Sequence, residues 1–485
     1  MKRSALFLLS MMLLAALTIF SSCKKDKDTD PDTDPDNNKP VLVYNEIIIG
    51  ITGVTTRIEI GATDPDGDEL TYTWTLVTSP AGSAPIMTEQ MNRADFTTAI
   101  PGIYRVEVVV KDNKGSQAVA NVSLYIGGEL PSNISSNTVL PDLFADEAYP
   151  DYYANRSVQI TAGLTLEPGV VIECASDVSI FVNGSNAYLN AGGSASGNII
   201  FRGSEKIKGW WKNINFSSVN ILNKLDHVKV LHAGSSATGG FKAAVYIKSN
   251  SSYRAAITNT IISMTDGYGL FIDGNENGLI EFSENRFTDN TEAPMIVGAE
   301  NLYTLDNASQ YTGNGIQAIV VKAPGNTNAR FTSTGIIKAQ GIDYHFRSSA
   351  ELQTKLILEP GVTCLFNSGT RLWVTSTGVL VANGTPSEKI TFSGIFSSPG
   401  AWNGIELSSA SPENSIDHAI ISYGGNSSGR KANIYMFNPS KLTLTNSTIS
   451  DSQTWGVFKA PGSTDLTESN NVFQNNASGD IGGNI

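Results

Sequence analysis

The chain is poor in cysteine, histidine and charge. Three cysteines in 485 residues exclude a disulfide-knit scaffold. Four histidines give no zinc signature, and His232 and His345 lack metal-ligand spacing. Charged residues make up 16% of the chain, below the roughly one quarter usual in soluble domains. Acidic residues outnumber basic ones, 46 to 33, and the formal charge of −13 excludes the basic footprint of a nucleic-acid binder. Amphipathic helical stripes are missing too. The one long apolar run, Ala5 to Phe20, is about 16 residues, short for a stable membrane span. In place of these the chain has 45 glycines and 40% apolar residues, enough for an ordinary core. Its length predicts two to four domains.

Lys2 and Arg3 precede that apolar run, and Ser21-Ser22-Cys23 follows it. A basic head, an apolar middle and small residues before a cut read as a secretory signal. Ser21-Ser22-Cys23 also resembles the lipobox of bacterial lipoproteins, in which the signal is removed before a lipid-bearing Cys. Phe20 stands where that family favours Leu. The resemblance implies residues 1–22 as signal peptide and Cys23 as the lipidation site, with an ordinary secretory signal as the alternative. Lys24 in place of Asp implies outer-membrane rather than inner-membrane retention. Loss of Lys2 and Arg3 takes the formal charge from −13 to −15. Residues 24–40, KKDKDTDPDTDPDNNKP, contain no apolar residue besides proline and predict a solvated tether over 23–40. The lysines and aspartates behind Cys23 read either as a plain spacer or, by resemblance, as a surface-export signal.

Residues 41–127 alternate apolar and polar positions in short runs, such as Leu70-Thr71-Tyr72-Thr73-Trp74 and Tyr104-Arg105-Val106-Glu107-Val108. That pattern predicts a small β-sandwich. Trp74 is the expected inter-sheet indole, Tyr104 a corner-tying hydroxyl, and Asp112-Asn113-Lys114-Gly115 a hairpin turn. Ala62-Thr63-Asp64-Pro65-Asp66-Gly67-Asp68 and Pro101-Gly102-Ile103-Tyr104 resemble the PKD type of immunoglobulin-like domain. The resemblance implies a spacer or a protein- or sugar-binding module. Asp64, Asp66, Asp68 and Asp112 offer hard oxygens for Ca2+, or else cap turn amides. No cofactor is otherwise required.

From residue 128 onward the chain repeats itself. Leu166-Glu167-Pro168-Gly169-Val170 recurs as Leu358-Glu359-Pro360-Gly361-Val362, Trp211 as Trp402, Asp226-His227 as Asp417-His418, and Val245-Tyr246-Ile247 as Ile434-Tyr435-Met436. The offset drifts from 192 to 186, the mark of one duplicated module with small turn deletions. The copies fall at about 150–340 and 341–485, and about 294–340 is extra to the first. Short apolar runs bounded by Gly, Asn, Ser or Pro recur about every 23 residues, predicting roughly 15 coils of a right-handed parallel β-helix over 128–485. Asn259, Asn285, Asn446 and Asn471 are expected to satisfy backbone groups at bends. Trp211 and Trp402 are expected to plug corners, and Cys174 and Cys364 to be buried free thiols. The fold class is therefore all-β, and this portion is similar to the parallel β-helix domains of bacterial surface lipoproteins.

Chemistry is harder to find. No dense cluster of Asp, Glu, Arg and Lys is visible, so no catalytic residue is assigned. Each Asp-His pair is expected to split across a strand, with His227 outward. Aromatic residues are the better signal. Phe181 aligns with Trp373, and if the flanking aliphatics face in, these two rings face out; Tyr268 aligns with Trp455 beside a glycine, and exposed flat rings of this kind suit stacking on a sugar or a partner surface. They could instead cover neighbouring loops. The expectation is a lipid-anchored, surface-exposed outer-membrane protein that binds a glycan or a surface protein without turnover. The alternatives are a polysaccharide lyase or glycoside hydrolase on the β-helix, and a structural stalk.

Overall fold

The computed structural model describes residues 37–248, 253–323, 325, 327–426, 431–462 and 464–483. The expected signal peptide, Cys23 and most of the expected tether lie outside the described residues. The fold is all-β, with one short 3-10 helix, Ala299–Thr304, among the described residues.

The sandwich packs two sheets over Ile58, Ile60, Trp74, Phe96, Tyr104 and the alternate valines Val106, Val108 and Val110. Trp74 is buried and donates from Nε1 to the Met91 carbonyl at 3.0 Å. Tyr104 donates to the Ile100 carbonyl at 2.7 Å and meets the Thr98 hydroxyl at 2.8 Å, closing its corner. Gly115 takes φ 105° in the hairpin after Asp112.

No linker follows. The strand Gln117–Glu129 pairs antiparallel with Gly102–Asp112 through Ile126. Its last two residues then pair parallel with Tyr152 and Tyr153. One strand thus ends the sandwich and begins the solenoid. Tyr125 on that strand stacks on Tyr149 at 4.1 Å and meets Phe144 edge-on at 5.3 Å. Asp151, fully buried, accepts from the amides of Leu143, Phe144 and Val171 at 2.7, 2.9 and 2.7 Å, which holds the loop that carries those rings.

The solenoid winds about 14 parallel turns. Its axis is filled by one continuous apolar cluster from Leu130 to Val457. Each inward strand contributes alternate aliphatics, so one turn alone has no closed core and stacking supplies it. Trp211 and Trp402 are fully buried corner residues, donating to the carbonyls of Leu231 at 2.7 Å and Ser422 at 2.8 Å. Cys174 and Cys364 are buried free thiols, and burial pushes both up.

Corners are turned by single residues in the left-handed region. His227, Asn259 and Glu284 stack at one corner with φ 53°, 49° and 54°. A buried Thr260 or Asn285 follows the second and third of these. Asn285 Oδ1 accepts from the Thr260 amide at 3.0 Å while its Nδ2 donates to the Ile257 carbonyl at 2.8 Å. A bend breaks the ladder and leaves one donor and one acceptor; a carboxamide replaces both. Asn471 does the same for Ser447 and Leu444. Asn259 and Asn446 act differently: each turns the corner itself and donates to a carboxylate, Asp226 at 2.9 Å and Asp417 at 2.8 Å.

The two copies are related by a rotation of one face. Val171–Cys174 lies in the 11-stranded sheet, but its match Thr363–Phe366 lies in the 14-stranded sheet. Ser179–Asn183 lies in the 14-stranded sheet, and its match Arg371–Val374 lies in the seven-stranded one. The segment 294–340 makes the change. It ends the 11-stranded sheet at Gln310–Thr312 and opens two new sheets at Ala329–Phe331 and Gly335–Ile337.

Candidate binding face

Parallel strands in register stack equivalent side chains into columns. On the outside of the seven-stranded sheet one column reads Arg330, Glu351, Trp373, Glu406, Tyr435, Phe458 and Gly482. These residues are scattered over about 150 positions of sequence, and only the register brings them together. The charged cluster that the sequence conceals is therefore present on this face. Arg371 pairs with Glu406 at 2.7 Å and lies over the Trp373 ring at 5.0 Å. Glu351 accepts from Asn328 at 2.8 Å and from Gln353 at 2.7 Å.

Farther along the column charge gives way to rings. Tyr435 stacks on Phe458 at 5.4 Å with 16° between planes, and Trp455 lies 6.3 Å from Phe458. All three are half-buried. With Lys431 and Thr454 they line a cavity of about 200 Å3. The Trp455 indole rests on Gly479 and Gly482, where a Cβ would meet the ring at 3.0 and 2.5 Å. Trp373 is also half-buried, and its Nε1 donates to Ser408 at 3.2 Å.

The first copy carries the matching column on the 14-stranded sheet: Phe181, Asn215, Tyr246, Phe271 and Ile296. Here the aromatic part is closed. Tyr246, Tyr268 and Phe271 are buried. Phe241 covers them, meeting Tyr268 at 5.7 Å and Phe271 at 5.1 Å, both edge-on. Lys322 Nζ lies 4.9 Å above the Phe241 ring. Tyr268 is therefore not an exposed ring, contrary to the expectation from sequence. The cause is a loop contact that strand alternation cannot register. Phe181 and Trp373 stand on different sheets, so the four aromatic residues named from sequence form two faces rather than one platform. Tyr435, Phe458 and Phe241 went unassigned, although the Tyr246–Tyr435 match pointed to the first of them.

The Asp-His pairs also depart from expectation. His227 and His418 sit at corners with φ 53° and 46°, and this conformation folds each ring back onto its own aspartate. Nδ1 lies 3.0 Å from Asp226 and 2.9 Å from Asp417. Asp226 also accepts from Lys224 and Thr258, each at 2.9 Å. Burial pushes this carboxyl up, but these bonds outweigh it and hold it at about 2. Both pairs are corner staples, repeated once per copy.

In the sandwich, Asp64, Asp68 and Asp112 converge, with one oxygen of each within 4.8 Å of the others. Asp66 turns away and accepts from the Asn38 amide at 2.7 Å, which holds its carboxyl below the usual range. Asp112 is buried. Desolvation raises it, but bonds from Asn37 and from the amides of Lys114, Gly115 and Ser116 bring it below the ordinary value. Asp64 Oδ2 is a buried oxygen without a donor, and Lys114 Nζ lies 3.3 Å from Asp68. Three carboxylates against one ammonium fit a divalent cation.

Hydrolytic chemistry fits the charged end of the face poorly. Glu351 and Glu406 are two strands apart, about 9–10 Å at the usual spacing, close to the separation used by inverting glycosidases. A general acid needs a raised pKa. Burial raises Glu351, but Asn328 and Gln353 outweigh it and hold it below the usual value. Glu406 is side-chain buried to 1% exposure and ion-paired.

A PKD domain model matches residues 52–123. No curated protein matches the chain. Among solved structures the chain is similar to a nucleoside hydrolase-related hypothetical protein from Saccharophagus degradans that is associated with carbohydrate metabolism. That similarity is 22% identity, TM-score 0.18, over 19% of this chain and 26% of that one. Similarity to the GspB Siglec domain is 18% identity, TM-score 0.16, over 21% and 65%. Similarity to the Agl-KA catalytic domain is 12% identity, TM-score 0.26, over 92% and 91%. The chain thus spans about a quarter and under two thirds of the first two, and none of the three bears on its activity. A PKD domain followed by a parallel β-solenoid suggests an extracellular surface or binding role. No helix among the described residues is long and apolar enough to cross a membrane.

Proposed function

We propose that the chain is a lipid-anchored outer-membrane protein, displayed at the cell surface through Cys23 and its acidic tether, that binds a carbohydrate or surface partner without turnover. The observation that carries this is the aromatic face of Tyr435, Trp455 and Phe458 on the seven-stranded sheet, open among the described residues. Half-buried rings held by stacking present rigid apolar area at little entropic cost, as recognition surfaces do. Phe181 and Trp373 extend that reading to lesser contact points, and Tyr268 drops out because Phe241 covers it. In the sandwich, Ca2+ held by Asp64, Asp68 and Asp112 stiffens the loop end.

The test is adhesion of the purified mature chain to glycan arrays and to intact cells. Trp455→Ala and Trp373→Ala should each reduce it, the first more. Unchanged adhesion in both variants removes the face from consideration, and the absence of any ligand removes the proposal. Cys23→Ala should abolish acyl labelling and protease-accessible display. Ca2+ should raise the melting temperature of the parent and not of Asp64→Asn.

A further inference from the structure

The two copies match at the aromatic site residue for residue: Tyr246 with Tyr435, Tyr268 with Trp455, Phe271 with Phe458, and Lys242 with Lys431. They differ in what comes just before. The first copy reads Ser235-Ser236-Ala237-Thr238-Gly239-Gly240-Phe241-Lys242. Gly239 and Gly240 have φ 61° and 94°, and Thr238 and Phe241 face each other as an antiparallel bridge. This is a two-residue glycine turn of the kind that needs positive φ at both centres. It delivers the Phe241 ring onto Tyr268 and Phe271. The second copy is two residues shorter here and reads Asn426-Ser427-Ser428-Gly429-Arg430-Lys431, with no apolar residue to deliver. Among the described residues a cavity of about 200 Å3 stands over the same aromatic floor. A closed apolar cavity of about 150 Å3 is enough to hold a benzene ring.

We infer that the occupant of the open face is an aromatic side chain presented on a tight turn of a partner polypeptide, seated on Trp455 and Phe458 as Phe241 is seated on Tyr268 and Phe271. The inference rests on the reading of that face as a binding site and narrows its ligand from glycan or protein to protein. The chain's own first copy is the precedent: one solution to covering this floor is already built, and its covering group is a phenyl ring met edge-on. Lys322 above Phe241 shows the polarity that suits the far side of such a ring, a cation over its face.

The test uses the mature chain and a hairpin peptide reproducing Ala237–Lys242, with 4-fluorophenylalanine at the Phe241 position, followed by fluorine NMR. The parent should bind the peptide at one site. Trp455→Ala should weaken binding by about tenfold or more, and a peptide with alanine at the Phe position should not bind. Phe241→Ala should create a second site of the same kind. Trp455 is half-buried on an outer face, so its variant tests the inference even if Phe241→Ala unfolds. Peptide binding that is indifferent to Trp455→Ala overturns the inference. So does a parent that ignores the peptide while a glycan panel binds in a Trp455-dependent way, which leaves the binding reading intact with a sugar as ligand. A face that takes neither probe, with cell adhesion unaffected by Trp455→Ala, removes both.

Discussion

The two halves of the solenoid differ in one place that matters. Corner tryptophans, amide staples, Asp-His corners and inward aliphatics recur with small drift in spacing. The outer aromatic floor recurs as well, yet it is sealed by Phe241 in the first copy and, among the described residues, open in the second. Duplication thus kept what stacking demands and left the outside free to diverge. An inward residue meets neighbours above and below, so its replacement disturbs three turns; an outward ring answers only to whatever covers it.

The largest expected effect lies in what is shared. Trp211→Ala and Trp402→Ala should each cost about 3–5 kcal/mol, since each empties a fully buried corner. Denaturant unfolding should place the two within about 1 kcal/mol of each other; a wide gap would mean that the copies are not energetically equivalent. Next comes the sealed floor against the open one. Tyr268→Ala should cost about 3 kcal/mol and Trp455→Ala about 1 kcal/mol, because Phe241 desolvates the first and nothing among the described residues does so for the second. Equal losses in thermal melts would erase that distinction. Smaller again is the staple: Asn285→Ala should cost about 1–3 kcal/mol by orphaning Thr260 N and the Ile257 carbonyl. Asn471→Ala should cost less, because Asn471 is only half-buried.

A separate comparison between the copies is read against pH. Asp151-Tyr152 matches Asp343-Tyr344 at the same offset of 192. Burial pushes Asp151 up to about 6 and Asp343 upward as well. A carboxyl raised on folding holds its proton longer in the native state, so stability falls as pH rises from the unfolded value near 4 through about 6. Asp151→Asn should flatten the melting temperature over that window. Asp343→Asn should flatten it less, because Asp343 is only half-buried.

Sequence was a good guide to whatever repeats. The Glu-Pro-Gly turns, Trp211 and Trp402 in the corners, Cys174 and Cys364 in the core, and Trp74 and Tyr104 in the sandwich all follow from patterns a few residues long. The binding face was half legible. Trp373 could be placed outward by alternation, whereas Trp455 shares the parity of the inward Val457 and was marked only by its match to Tyr268; Arg371, Glu406 and Glu351 meet only through register between turns, which no single strand encodes. Nor does alternation reveal that Phe241 leaves its loop to cover Tyr268. The same limit applies to His227, where one left-handed residue undoes the period-two argument. The rotation of one face between copies is invisible for a further reason: it depends on how 294–340 counts out strands, not on any motif.

The strand Gln117–Glu129 has a mechanical consequence. Because it is bonded along one stretch to the sandwich and at its tip to Tyr152 and Tyr153, tension applied at the sandwich reaches the solenoid as shear across hydrogen bonds rather than by stretching a slack connector. Load passes from the long ladder with Gly102–Asp112 to the two-residue pairing with Tyr152 and Tyr153, and the stacked rings of Tyr125 and Tyr149 brace the seam against bending. Pulling on the sandwich would therefore engage the first turn of the solenoid directly, with no slack to take up.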